Sequence, residues 1–155
     1  MNISFDLDST LIPIGNEFET ENQSYLAKCI GIEKIRKSTR LLFTNLKHQG
    51  CQVHIYTTSF RSRFKIRITF WFYGIRVNKI ITQFENEQKL KLIQINASKY
   101  PPAFDFDVHI DDSLGVEAES KRFGFNVITI QPQDIHWTER VLTGLNDIIL
   151  KKQLK

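Results

Sequence analysis

The chain has 155 residues, of which 41% are hydrophobic and 25% charged, with 21 Lys or Arg against 17 Asp or Glu. This usage excludes a disordered chain, a collagen-like repeat and a coiled coil, and the length suits one domain with a sizeable core. The net charge of +4 is compatible with an anionic partner, whether a phosphorylated substrate or a nucleic acid.

Residues 3–5 are a short apolar run that ends in Asp6-Leu7-Asp8, the pattern of a buried strand delivering acids to a loop. Pro13 and Gly15 break up residues 13–22. A helical pattern extends from about Ser24 to Lys47 with an interruption around Gly31; Ile35, Thr39, Leu42, Phe43 and Leu46 follow helical spacing and Gly50 is a stop. Residues 53–56 are expected to form a strand ending at Thr57, and residues 60–73 a helix closed by Gly74. In that helix Phe60, Phe64, Ile68, Trp71 and Phe72 are expected to form the buried stripe, with Arg61, Arg63, Lys65 and Arg67 on a solvated face. Cations interleaved with aromatics also suit nucleic acid, but with the aromatics required by the core that contact is not favoured.

A short strand is expected at 77–81 and a helix at 86–95, followed by a loop at Pro101-Pro102. Residues 108–110 form the next strand, ending in Asp111-Asp112, and 116–123 a helix closed by Gly124. Residues 127–130 are the last strand and 138–151 the last helix, with Val141, Leu142, Leu145, Ile148 and Ile149 on one face. Strands alternating with helices imply an α/β fold with a mostly parallel sheet: a three-layer α/β/α, Rossmann-like domain over residues 1–155. No segment approaches the roughly 18 apolar residues of a membrane span, and no basic stretch precedes an apolar one at the start, so a cytoplasmic protein without a membrane partner is expected. Cys29 and Cys51 are expected to be reduced, buried thiols.

Asp is common in turns after strands, and Thr57 would serve as an ordinary strand-end residue. The placement argues for more: Asp6 and Asp8, Thr57, and Asp111 and Asp112 all stand at the carboxyl ends of strands, the edge where parallel sheets bind ligands. Carboxylates gathered there repel unless a hard cation offsets them, and an oxygen-only set selects Mg²⁺. Asp6 could then attack a phosphoryl group, and Asp8 could protonate the leaving alkoxide and later activate water. The Thr57 hydroxyl and a lysine could hold the phosphoryl oxygens.

At these residues the chain resembles the haloacid dehalogenase (HAD) superfamily of phosphatases. Phe5-Asp6-Leu7-Asp8-Ser9-Thr10 resembles its D-x-D-x-T signature. The run from Val53 to Thr57 resembles its second motif, and Val108-His109-Ile110-Asp111-Asp112 its fourth motif in the DD form. The resemblance implies Asp6 as nucleophile and Asp8 as acid and base, in a Mg²⁺-dependent phosphomonoester hydrolase. It implies metal ligation by the Asp6 side chain, the Asp8 main-chain carbonyl and the Asp111-Asp112 pair, with Asp112 in direct contact. For the lysine of the third motif Lys99 is preferred because it precedes the loop into the fourth motif, while Lys89 and Lys91 also match a family spacing. Lys99 is equally readable as a solvated loop lysine.

Family members often insert a cap after the first or second motif, and neither interval here has room for one. An uncapped site implies a phosphorylated substrate that is either a small molecule enclosed by other means or the end of a macromolecule, such as a nucleic acid or a phosphoprotein. A non-catalytic metal- or phosphate-binding module is a further alternative, against which the presence of both Asp6 and Asp8 speaks. His54 and His109 are expected to be satisfied core histidines, and Arg61 is expected beside the phosphate site. Substrate identity and oligomeric state are not encoded in these motifs.

Overall fold

A computed structural model describes residues 1–154. Five strands form one sheet in the order β3-β2-β1-β4-β5, each neighbouring pair parallel. The central strand β1 (Asn2–Phe5) lies between β2 (Gln52–Tyr56) and β4 (Val108–Asp111), with β3 (Ile80–Ile81) and β5 (Val127–Thr129) at the edges. Helices α1 (Tyr25–Cys29), α2 (Thr39–His48), α3 (Arg63–Phe72), α4 (Gln83–Leu92), α5 (Leu114–Phe123) and α6 (Trp137–Gln153) flank the sheet, giving the Rossmann-like α/β architecture that the alternating pattern implies. Strand order reverses between β1 and β4, and in open α/β sheets such a reversal leaves a crevice at the carboxyl ends. No helix among the described residues is long and apolar enough to cross a membrane.

Alternation along the strands sorts side chains to two unlike faces. Ile3, Phe5, Val53, Ile55, Val108 and Ile110 join the larger apolar cluster, together with side chains of α2, α3 and α6. Phe43 of α2 lies 4.7 Å from Phe5 and 6.2 Å from Phe70 of α3, ring centre to ring centre, so α2 and α3 are neighbours over this face. Ser4, His54 and His109, in register with one another, alternate to the opposite face, as does Tyr56, paired with Ile81. There Tyr56 packs against Phe104 and Phe106, donates its hydroxyl to Asn86 of α4 and accepts from the Tyr100 N–H at 2.9 Å. His54 Nδ1 accepts from the Lys79 N–H at 3.1 Å, and burial together with the Lys79 charge pushes the imidazole down to about 4, so it is neutral.

Several expected elements shift. The helical pattern over 24–47 resolves into the short α1 and a later α2, because residues 30–38 run irregularly and pair Arg36 with Thr20 in an antiparallel bridge. α4 starts three residues earlier than expected, at a capping box in which the Thr82 and Glu85 side chains and backbone bond reciprocally. α3 starts at Arg63, capped by Ser62, and buries Ile66, Thr69 and Phe70, with Tyr73 following, in place of the expected stripe. Phe60, Phe64 and Trp71 are 97%, 74% and 63% exposed. Both stripes have helical spacing, so periodicity could not choose between them; packing against Phe43 and the sheet did. The cysteines are free, but Cys29 is exposed and Cys51 half-buried, not buried as expected: α1 turns Ala27 inward, and Cys51 sits before β2 where the core begins.

One buried cation joins the loops on the site side. Arg36, 1% exposed, donates to the carbonyls of Thr10, Gln131, Pro132 and Asp134, and its guanidinium stacks between Phe18 and Trp137. Burial lowers its pKa to about 10, still protonated at neutral pH. Arg36→Met keeps much of the stem but strands these carbonyls, so a loss of about 2–4 kcal/mol is expected in urea unfolding. A midpoint equal to the parent's would mean that water satisfies these carbonyls unaided.

Candidate active site

Three strand ends meet at the crevice. Asp6 follows β1, Thr57 follows β2, and Asp111 closes β4 with Asp112 next in the chain. The Asp6 N–H donates to the Ile110 carbonyl at 2.9 Å, which extends the β1–β4 ladder to the site and sets Asp6 against Asp111. Asp6, Asp111 and Asp112 bring one carboxylate oxygen each within 4.8 Å of the others. Asp6 and Asp111 are buried and Asp112 is half-buried.

Lys99 enters between two of them. It is 3% exposed, and its Nζ lies 2.7 Å from both Asp6 Oδ1 and Asp111 Oδ2. A solvated loop lysine is thereby excluded. Asp111 also accepts from Ser113 N–H at 2.8 Å and is bonded to His109 Nε2 at 2.9 Å, while His109 Nδ1 is 2.9 Å from Ser4 Oγ. Burial acts to raise the Asp111 pKa, but the bond to His109 and the charge of Lys99 outweigh it and hold the carboxyl well below the usual range. Its contribution to stability is therefore complete above the ordinary carboxylate pKa and is lost as pH falls through the depressed value. Burial acts to lower Lys99, and Asp6 and Asp111 more than reverse it. For Asp6 burial prevails over the attraction of Lys99, with repulsion by Asp111 adding to it, so its carboxyl is raised.

Asp8 is half-buried and points elsewhere. Its Oδ1 accepts from Arg61 Nη1 at 2.7 Å, and Arg61 Nε is held by both oxygens of Glu33 at 2.9 and 3.0 Å. Ser9 follows in the left-handed region at φ 55°, its hydroxyl on Glu17 at 3.0 Å, and turns the chain so that buried Thr10 donates to Asp112 Oδ1 at 3.0 Å. Thr57 is buried, and its Oγ1 accepts from the Ser59 N–H at 3.1 Å. Beside these groups a cleft of about 740 Å³ opens, with Thr58, Phe60, Asn86, Leu90, Lys91 and Ser98 in its walls.

Of the residues singled out from sequence, the fold thus gathers Asp6, Asp111, Asp112 and Lys99, and places the Asp8 side chain outside the carboxylate cluster against Arg61. Lys89 and Lys91 lie on α4, half-buried and exposed respectively, neither within 4 Å of a carboxylate among the described residues. Three further residues support the site without having been assigned to it from sequence, although His109 is the satisfied core histidine that was expected. Thr10 was legible as the last letter of the D-x-D-x-T string. His109 shares a strand face with Asp111 two residues on, a relation the alternation could have shown. Glu33 gave no signal, since it stands in irregular chain.

The donor set fits a divalent cation. Asp6 Oδ1 has no hydrogen-bond donor aligned on it, its contact with Lys99 being a charge contact at poor hydrogen-bond angle. Burial holds the Asp112 carboxyl above its ordinary value, and Asp111 and Asp6 push the same way, against the bond from Thr10 and a weaker one from its own backbone N–H. One ammonium thus serves two of three clustered carboxylates, and an all-oxygen cluster short of positive charge could hold a metal ion.

No protein-family model matches the sequence, and no curated protein matches it. The fold is similar to that of chains in two solved structures. One, "Structure of Pnkp1/Rnl/Hen1 complex", superposes with a TM-score of 0.55 at 15% identity, over 86% of this chain and 47% of that one. The other, "Structure of the Pnkp1/Rnl/Hen1 RNA repair complex", gives 0.53 at 16% identity, over 83% of this chain and 42% of that one. This chain therefore spans less than half the length of either neighbour, and the likeness is one of fold.

Proposed function

We propose that residues 1–155 form one HAD-like catalytic unit that hydrolyses phosphomonoesters with Mg²⁺ through an aspartyl-phosphate on Asp6. The observation that carries this reading is the buried Asp6 facing Asp111, Asp112 and Lys99 at the strand-order reversal. Held by the Asp6 and Asp112 side chains and the Asp8 carbonyl, with Asp111 behind, Mg²⁺ would screen phosphoryl charge from the carboxylates. An Asp6 oxygen attacks phosphorus as the bond to the leaving alkoxide breaks, and Asp8 supplies that alkoxide with a proton. Asp8 then takes a proton from water, whose oxygen attacks the same phosphorus and frees Asp6 and inorganic phosphate. Lys99 and the Thr57 hydroxyl orient the phosphoryl oxygens. Arg61 occupies the Asp8 oxygen that would carry the proton, so the first step requires Arg61 to turn toward Glu33 or the phosphoryl group.

A second reading places the phosphate on a macromolecule. It is supported by the description of the structural neighbours as an RNA repair complex and by the absence, among the described residues, of any folded insert over the crevice. The first test is hydrolysis of p-nitrophenyl phosphate with Mg²⁺. EDTA is expected to abolish turnover and to lower the melting temperature, and excess Mg²⁺ to restore both. A melting temperature indifferent to Mg²⁺, with no turnover on a panel of phosphate esters, would sink the proposal.

A further inference from the structure

The positive charge of this protein is concentrated in one stretch. The 51 residues from Lys34 to Phe84 contain 11 Lys or Arg and no Asp or Glu, whereas the rest of the chain is net acidic. That stretch builds α2, β2, α3 and β3, and the Phe43–Phe70 stacking sets α2 and α3 side by side. Some of its cations are neutralised from elsewhere: Arg61 by Asp8 and Glu33, Arg63 by Glu85, Lys37 by Glu19. Arg40, Lys47, Arg67 and Arg76 are exposed, and the cationic group of none of them forms an ion pair among the described residues, although the Arg40 backbone N–H donates to Glu21 at 3.2 Å and the Lys47 ammonium donates to the Arg76 carbonyl. The surplus therefore faces solvent along α2, α3 and the turn after α3.

The exposed side of α3 also carries aromatics expected in the core. Phe64, Arg67 and Trp71 stand at i, i+3 and i+7 of α3, one exposed stripe about 10 Å long, and exposed Phe60 precedes it by four residues. Phe60 is three residues beyond Thr57, it walls the cleft beside the site, and its neighbour Arg61 bonds Asp8. The stripe thus begins at the proposed phosphate site and leads away from it. An apolar protein partner would be poorly served by a face with this surplus of unpaired cations. A double helix hides its bases and offers nothing for Phe60, Phe64 and Trp71 to stack on. A single strand offers both a polyanionic backbone and exposed base faces.

We infer that the α2–α3 face, with its Phe60–Phe64–Arg67–Trp71 stripe, binds single-stranded nucleic acid and directs a phosphorylated strand end into the Asp6 site. The second half of this inference rests on the phosphohydrolase reading; the binding surface stands apart from it.

The test separates the two. Full-length Asp6→Asn protein in EDTA is titrated with a fluorescent, end-phosphorylated single strand of about ten nucleotides at about 50 mM salt. Binding is expected, weakening by at least about tenfold on raising the salt to about 200 mM. Exposed Trp71 is expected to be quenched while buried Trp137 is not, so Trp71→Phe removes the response. Phe64→Ala and Trp71→Ala are each expected to weaken binding about tenfold, and the double substitution Arg40→Glu, Arg67→Glu to abolish it, with melting temperatures close to the parent's. No binding, equal affinity for a duplex or for polyglutamate, or aromatic variants that bind as the parent does would each overturn the inference. Hydrolysis of p-nitrophenyl phosphate by the parent protein without strand binding overturns the surface alone; strand binding without hydrolysis leaves the surface and overturns delivery of an end to a catalytic Asp6.

Discussion

Asp6→Asn is expected to lower Mg²⁺-dependent hydrolysis of p-nitrophenyl phosphate by at least about 10³-fold, since the amide supplies no anionic oxygen to attack phosphorus. The same substitution is expected to raise the melting temperature in EDTA. Asp6 is buried beside Asp111 and Asp112, burial already pushes its carboxyl toward the neutral form, and one Lys99 serves two acids. Removing one charge from this crowded set relieves about 1 kcal/mol, or roughly 3 °C for a chain of this size. With Mg²⁺ present the order reverses, because the parent gains binding free energy and the variant has lost a ligand; at about 100 times Kd that gain is about 2.7 kcal/mol. Calorimetry of both proteins with and without Mg²⁺ reads this crossing directly. Parallel shifts in the two proteins would show that Asp6 is no part of a cation site.

Lys99→Met is expected to be the most destabilising single change at the site. It leaves Asp6 and Asp111 facing each other in the interior with no ammonium between them, and removal of one member of such a buried set costs about 3–5 kcal/mol. The melting temperature should fall by about 6–20 °C on the usual scaling. The double variant Lys99→Met, Asp6→Asn is expected to regain more than half of the loss, because Asp111 keeps the His109 ring and the Ser113 N–H. The double variant also keeps the prediction measurable if the single variant fails to fold. A Lys99→Met protein as stable as the parent would show that these carboxylates are protonated or hydrated without it.

Buried charge at the site is held in place only by its partners, so a carboxylate can be removed at a gain where its ammonium cannot be removed without loss. Arg36 is the contrasting case. It faces carbonyl oxygens and two rings, not paired carboxylates, and it ties the loop after β1 to the loop after β5. Nothing in its sequence neighbourhood marked it, because its four carbonyl partners are far from it in the chain and carbonyls carry no residue identity.

The contrast between Asp6 and Lys99 shows how far a sequence can be read. Asp6, Thr57, Asp111 and Asp112 were legible because each terminates an apolar run, and a parallel sheet necessarily brings the ends of its strands to one edge. Lys99 follows no strand and belongs to no periodic pattern, so motif order could suggest it but only burial between two acids distinguishes it from Lys89 and Lys91. The Asp8 side chain, read from sequence as standing at the same strand end as Asp6, is bonded to Arg61, which is held in turn by a Glu33 that no local pattern announced.

The length and alternating patterns, by themselves, determined the α/β architecture, the order of its elements and the edge where carboxylates gather. These follow from local rules, since strand and helix periods and strand-end residues are written within a few positions of one another. Only the tertiary structure decided which of two helical stripes α3 buries, and it left Phe60, Phe64 and Trp71 in water. Either stripe satisfies the helix; the choice belongs to the shape of what packs against it. The modest net charge visible at the outset also concealed its own distribution, because an excess of +4 averages a basic α2–α3 layer over an acidic remainder.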